Sequence, residues 1–150
     1  MLMTLAKACD LARYDQKKLI DDRTLLRRDM EADFITPPAM GRLTLDVDDA
    51  AALILYADLR KLGQPVKFAG LFASRIRGAM RDFLDADQLT TVTLENGSTF
   101  TLPSALLDLS SGYGSGGYIV TATLVDVRNL RDRVRRALNI YEPEGEAHDG

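Results

Sequence analysis

The stretch that decides the fold is Gly41-Arg42-Leu43-Thr44-Leu45-Asp46, which runs directly into a helical segment from Val47 to Gly63. Leu43 and Leu45 alternate with polar residues, and such alternation predicts a short strand. The segment after it has apolar residues at helical spacing, which predicts an amphipathic helix. The sequence therefore predicts a short strand followed directly by a helix in this part of the chain.

The ends of this helix are marked by specific residues. Asp46 is a favourable N-cap, and Asp48 and Asp49 complement the positive end of the helix dipole. Gly63 is typical of a helix C-terminus, and Pro65 suits the first turn of a further helix. That further helix is predicted to bury one apolar face, made of Phe68, Leu71, Phe72, Ile76, Ala79, Met80 and Phe83.

Two shorter helices are predicted upstream. Thr4 is a suitable N-cap for a helix that ends at Ala12, and Asp15 caps a second helix that continues to about Arg23. Only two or three residues join the two helices, so they must cross steeply, as in a helix-turn-helix. The paired prolines Pro37-Pro38 mark the tip of a following loop.

The C-terminal half has strand signals. The runs Leu89–Glu95 and Ser98–Leu102 flank Asn96-Gly97, which predicts a β-hairpin. A third strand is expected at Tyr118–Val125, and a last helix from about Asp126 to Ile140. One side of that helix carries Leu130, Val134, Ala137 and Leu138, and two interpretations stay open: a dimer interface or part of the chain's own core.

Composition restricts the class of protein. The chain has 150 residues, of which 46% are hydrophobic and 27% charged, with one cysteine and a net charge of −3. These values are typical of a globular protein. No apolar run is long enough to cross a membrane, the N-terminus shows no secretory signal, and a single cysteine fits a reducing compartment. We therefore expect a cytoplasmic protein.

Charge is unevenly distributed along the chain. Six basic and no acidic residues lie between Leu59 and Arg81, and five arginines lie between Arg128 and Arg136. The tail 142–150 is acidic and is predicted to be disordered. Because local basic surfaces determine whether phosphates are approached, the negative net charge does not exclude a nucleic-acid ligand.

The region from Thr4 to about Leu71 resembles the DNA-binding region of MerR-type regulators and excisionase-like winged helices. The matching segments are Thr4-Leu-Ala-Lys-Ala-Cys-Asp-Leu-Ala12, Leu25-Leu26, Gly41-Arg42-Leu43 and Asp48–Gly63. The resemblance implies binding to DNA as a dimer, with the second helix in the major groove and the wing over phosphates.

The predicted fold class is α+β. We expect a winged helix-turn-helix with two further helices at 1–85, then a small antiparallel β segment and a C-terminal helix at 86–150. The second part is expected to serve dimerisation or partner contact.

Seven residues are candidates for DNA contact. Lys17 and Lys18 lie on the predicted recognition helix, where a solvated surface is the alternative role. The Gln16 amide has the groups to bond adenine, and its alternative role is that of a polar residue at the helix N-terminus. The basic residues of the wing are expected at phosphates. The full set is Gln16, Lys17, Lys18, Arg23, Arg27, Arg28 and Arg42. Arg75, Arg77 and Arg81 either extend the phosphate contacts or are solvated.

The sequence gives little sign of catalysis. His148, the only histidine, lies in the acidic tail, and Ser115-Gly116-Gly117 lacks the lysine that a phosphate-binding P-loop requires. We expect neither an enzyme nor a bound cofactor or metal. The predicted function is a sequence-specific DNA-binding transcriptional regulator of bacterial or phage type, acting as a homodimer. The alternative is a non-enzymatic interaction module, or a phage-type accessory module, whose basic faces bind an acidic protein.

Overall fold

The computed structural model of the chain describes residues 2–29, 44–110 and 112–139. Within these ranges the protein has five α-helices and two small antiparallel sheets. The predicted α+β class is confirmed. The predicted wing and the acidic tail 142–150 lie outside the described residues, apart from the last two residues of the wing's return strand.

The N-terminal elements are β1 (Met3–Thr4), α1 (Leu5–Ala12), α2 (Gln16–Asp29) and β2 (Thr44–Leu45). Thr4 caps α1 as predicted, because its side chain accepts a hydrogen bond from the Lys7 backbone N–H in the first turn of the helix. β2 pairs with β1, so the predicted return strand contacts the strand that precedes α1. This short pairing connects the residues before α1 with the residues before the helix at Val47.

The second helix is longer than predicted. It continues six residues past Arg23 to Asp29, so Arg27 and Arg28 belong to α2 and their assignment to the wing was wrong. The sequence from Thr24 to Asp29 has no proline or glycine, and nothing in it stops a helix.

α3 (Val47–Lys61) and α4 (Val66–Asp82) follow the predicted bounds closely. α3 begins with a capping box, in which Asp46 Oδ1 accepts from the Asp49 N–H at 2.8 Å and Asp49 Oδ2 accepts from the Asp46 N–H at 3.0 Å. On α4 the prediction was partly wrong, because Phe68 and Leu71 are 49% and 44% exposed.

The hairpin is confirmed as β3 (Gln88–Leu94) and β4 (Thr99–Pro103), with Gly97 at φ +88° in the turn. β5 (Ile119–Asp126) pairs with the other side of β3, which gives the antiparallel order β4-β3-β5. α5 (Val127–Ala137) follows β5 without a loop.

The described residues form two compact units. One comprises those within Met1–Ser74 and Leu130–Gly150, and the other comprises Arg75–Asn129. α4 and α5 each contribute residues to both. The sequence predicts a boundary between residues 85 and 86, which would separate two domains that fold independently. That boundary stays a prediction.

α5 supplies core residues to the first unit. Leu130 and Val134 are 6% and 0% exposed within the single chain. Two ion pairs to α3 flank this buried stripe on the helix surface. Arg131 Nε lies 2.9 Å from Asp48 Oδ1, and Arg133 Nη1 lies 3.0 Å from Asp58 Oδ2. Of the two interpretations left open by the sequence, this arrangement favours intramolecular core over a dimer interface on α5.

Candidate nucleic-acid interface

The connection between α1 and α2 is a tight turn of three residues. Arg13 adopts a left-handed conformation with φ 52°, and its N–H donates to the Asp10 carbonyl at 3.2 Å. Asp15 then begins α2, since its side chain accepts from the Lys17 N–H at 3.2 Å. The turn therefore brings the first residues of α2 to the surface beside the end of α1.

Over its first ten residues, the part whose side chains the structure describes, α2 buries only a narrow stripe. Leu19 and Asp22 are 0% and 8% exposed, and they are one turn apart. Most other side chains described on the first ten residues of the helix are exposed: Gln16, Lys17, Lys18, Ile20, Asp21, Thr24 and Leu25. Helical spacing puts Lys17 at the centre of this exposed surface, with Gln16 and Lys18 at its two margins.

Asp22 attaches α2 to the rest of the first unit. Its Oδ2 accepts a hydrogen bond from the Tyr14 hydroxyl at 2.6 Å and another from the Tyr56 hydroxyl of α3 at 2.8 Å. The guanidinium Nε of Arg60 lies 3.8 Å from the same oxygen. We call these four side chains the Asp22 cluster. A buried carboxylate is tolerated when donors and a positive charge compensate for its lost hydration.

The two tyrosines remain donors over a wide pH range. Burial, followed by the hydrogen bond to Asp22, raises the pKa of both Tyr14 and Tyr56 above the usual 10.0. Their rings meet edge to face, with centroids 5.7 Å apart and planes at 71°. The ring contact and the shared carboxylate together fix how α2 lies against α3.

The basic residues at the start of α2 have different surroundings. The Lys18 ammonium lies 5.4 Å from the centroid of the Tyr14 ring, a cation–π contact. Lys17 is exposed, and Asp21 is its neighbour one turn along the helix.

On α3, Lys61 Nζ donates to the Ala12 carbonyl at 3.0 Å, which connects the last turn of α3 to the last turn of α1.

The structure brings together only part of the predicted site. Gln16, Lys17 and Lys18 lie in the first turn of α2, and Arg23 is partly buried two turns further on. Arg27 and Arg28 lie in the last turn, about 17–18 Å along the helix axis from Gln16. Arg42 lies outside the described residues. Arg75, Arg77 and Arg81 belong to the second unit; Arg81 is exposed, and the other two are half-buried.

Sequence reasoning missed the Asp22 cluster. The sequence assigns no role to Asp22, whereas in the structure it is buried and accepts hydrogen bonds from two tyrosine hydroxyls. One signal was present, because Asp22 stands three residues after Leu19, on the apolar stripe of its own helix. A polar residue in such a position needs a buried partner.

Other features of the described residues offer no binding chemistry of comparable clarity. An open cleft in the second unit is lined by Asp82, Asp85 and Asp87 together with Pro103 and Ser104, and its negative rim disfavours phosphate. Within 2–29, 44–110 and 112–139 no group of three or more potential ligand side chains is arranged to hold a metal ion. Burial raises the pKa of the Cys9 thiol to about 11, which disfavours the reactive thiolate.

No protein-family model matches the chain, and no curated protein matches it significantly in sequence. None of the helices in the described part of the chain combines the length and apolar character needed to cross a membrane. Its function is therefore inferred from the geometry of the first unit.

Proposed function

We propose that the chain is a sequence-specific DNA-binding transcriptional regulator that places the first turns of α2 in the major groove. One observation carries the proposal: α2 follows α1 after three residues, exposes most side chains of its first ten residues, and is held by a buried carboxylate between two tyrosines. A helix that reads base edges needs such an outward face on a rigid support.

The exposed side chains of the first turns of α2 suit contact with both the phosphates and the base edges of DNA. Lys17 is in position for a phosphate, and the Gln16 amide can bond adenine through two hydrogen bonds. Ile20, which is 47% exposed, provides an apolar surface for a thymine methyl group. Asp21 would accept from the amino group of cytosine, so its charge has a role within the groove and disfavours other bases.

The proposal extends to residues that the structure does not describe. It includes a wing within 30–43, with Arg42 at phosphates, as in the MerR-like winged helices that the sequence resembles. It also places the protein in the cytoplasm, where a regulator of this type meets DNA.

The decisive experiment is selection of bound fragments from genomic DNA with the purified chain, followed by affinity measurements on the selected duplex. Lys17→Ala should weaken binding about tenfold and reduce the slope of log K against log salt by about 0.9. Lys18→Ala should have a smaller effect, because its ammonium is engaged with Tyr14. Gln16→Ala should weaken the selected duplex more than an unrelated one.

Arg136→Ala is the control, since it removes one exposed positive charge from α5 and should leave affinity unchanged. Failure to select any sequence, or equal losses in Lys17→Ala and Arg136→Ala, would contradict the proposal. Binding of the chain to an acidic protein through the same lysines would support the alternative interaction module.

A further inference from the structure

The three-stranded sheet of the second unit has an outer strand that is unusually open. β5 pairs with β3 from Gln88↔Asp126 to Thr93↔Thr121, and a bulge at Val120 interrupts the ladder before Leu94↔Ile119. Among the described residues no strand pairs with the other side of β5. Its outward N–H and C=O groups are therefore available to another strand.

The side chains of β5 do not protect this edge. From Ile119 to Val125 the sequence is Ile-Val-Thr-Ala-Thr-Leu-Val, without a charge, a proline or a glycine. Val120 and Leu124 are 62% and 56% exposed. Sheet edges that face water usually carry lysine or proline, or are short, because an uncharged edge pairs with other chains.

The opposite edge of the same sheet is built differently. β4 has five residues against eight in β5, it ends at Pro103, and a short 3₁₀ turn from Ser104 to Leu106 follows immediately. Proline has no N–H to donate, and a short strand offers few bonds. The sheet is thus protected on one side and open on the other.

We propose that the outer edge of β5 pairs antiparallel with β5 of a second copy of this chain, giving a continuous six-stranded sheet. The sequence of β5 argues for a second copy of the chain as the partner. Antiparallel pairing of two identical strands is two-fold symmetric, so it requires a sequence that is complementary to itself. The regular segment Thr121–Val125 has this property about Thr123. Thr123 meets Thr123 of the partner copy, and Ala122 meets Leu124 of the partner copy on the same face.

Charge also permits this pairing. The only charged residue of β5 is Asp126, and the two copies of it lie at opposite ends of the paired segment, about 20 Å apart along the strands. No like charges face each other across the axis. A single strand pair is a small interface, so the dimer should dissociate with a Kd in the range of about 1–10 μM.

Sedimentation velocity of the full chain between about 1 and 100 μM tests the proposal. The wild-type chain should shift from monomer to dimer. Thr123→Lys and Thr123→Asp should each remain monomeric, because each puts like charges opposite one another at the axis. An equimolar mixture of the two variants should dimerise again, since lysine then faces aspartate.

Thr99→Lys is the matched control, because it places the same charge on β4 and should leave the wild-type dimer intact. Hydrogen exchange of the wild-type chain gives a readout without mutation. Outward amides of residues 119–126 should exchange about four- to sevenfold more slowly at 100 μM than at 1 μM, in proportion to the fall in the monomer fraction. A wild-type chain that stays monomeric at 100 μM would overturn the proposal, as would dissociation by Thr99→Lys or a dimer that survives Thr123→Lys. The pairing does not depend on DNA binding and would stand without it.

Discussion

The Tyr14 hydroxyl donates a 2.6 Å hydrogen bond to Oδ2 of Asp22, which joins the turn before α2 to the helix itself. Tyr56 donates to the same oxygen from α3 at 2.8 Å. Since Leu19 and Asp22 form most of the buried stripe described on α2, this polar contact sets the orientation of the helix as much as apolar packing does. The orientation of the proposed recognition surface depends on it.

Removing the Asp22 carboxylate should therefore weaken the first unit. Asp22→Ala leaves two buried hydroxyls without their acceptor and removes the negative charge beside the Arg60 guanidinium. We expect it to lower the free energy of unfolding by about 3 kcal/mol. Urea denaturation measures this change. Asp21→Ala, which removes an exposed carboxylate from the adjacent position, should change stability by less than about 0.5 kcal/mol. Equal effects of the two substitutions would show that the buried contact is unimportant.

Because of Tyr56, the free energy of unfolding should fall at alkaline pH. Its pKa is raised in the folded chain above the usual 10.0, so above pH 10 the unfolded chain loses a proton that the folded chain keeps, and the free energy of unfolding falls as pH rises. Tyr56→Phe loses a hydrogen bond to a carboxylate, which should cost about 2 kcal/mol at pH 7.

Between pH 10 and 11 the wild-type chain should lose about 1 kcal/mol more stability than Tyr56→Phe, because the variant lacks this ionisation. Denaturation curves at several pH values test the difference. Tyr118→Phe, at an exposed tyrosine, is the control. Parallel stability curves for the wild-type chain and Tyr56→Phe would contradict the assignment.

The elements that sequence predicted well have local causes. The start of α3 depends on Asp46 and Asp49, which are three residues apart, and the hairpin depends on Asn96-Gly97 between two β-rich runs. Interactions over so few residues leave a recognisable pattern in the chain. For the same reason, the N-cap Thr4 and the helix after Pro65 were predicted correctly.

The remaining features depend on contacts between distant residues. Tyr56 is 34 positions from Asp22, and Arg131 is 83 positions from Asp48, so no spacing rule relates them. The pairing of β1 with β2 is equally remote in sequence. The candidate site was thus predictable as an exposed basic helix, but the side chains that hold this helix in place were not.

The loop before β5 should not tolerate a side chain at Gly116. A Cβ there would lie 2.5 Å from Leu94 Cδ1, which is closer than carbon atoms approach without displacement. Gly116→Ala should therefore lower the free energy of unfolding by about 1–3 kcal/mol. The neighbouring substitution Ser115→Ala, at an exposed position, should have little effect. Thermal melts of the two variants provide the comparison, and equal melting temperatures would contradict the predicted contact.

The buried stripe of α5 should contribute to stability and leave assembly unchanged. Leu130 is 6% exposed in the single chain, so Leu130→Ala should create a cavity and lower the free energy of unfolding by about 2–3 kcal/mol. Arg136→Ala, on the exposed side of the same helix, should stay within about 0.5 kcal/mol of the wild-type value. Urea denaturation gives both numbers. Sedimentation at a concentration where the variant is folded should show the same monomer–dimer distribution as the wild-type chain, because the proposed pairing uses β5. A variant that loses the dimer while keeping wild-type stability would instead make α5 the interface.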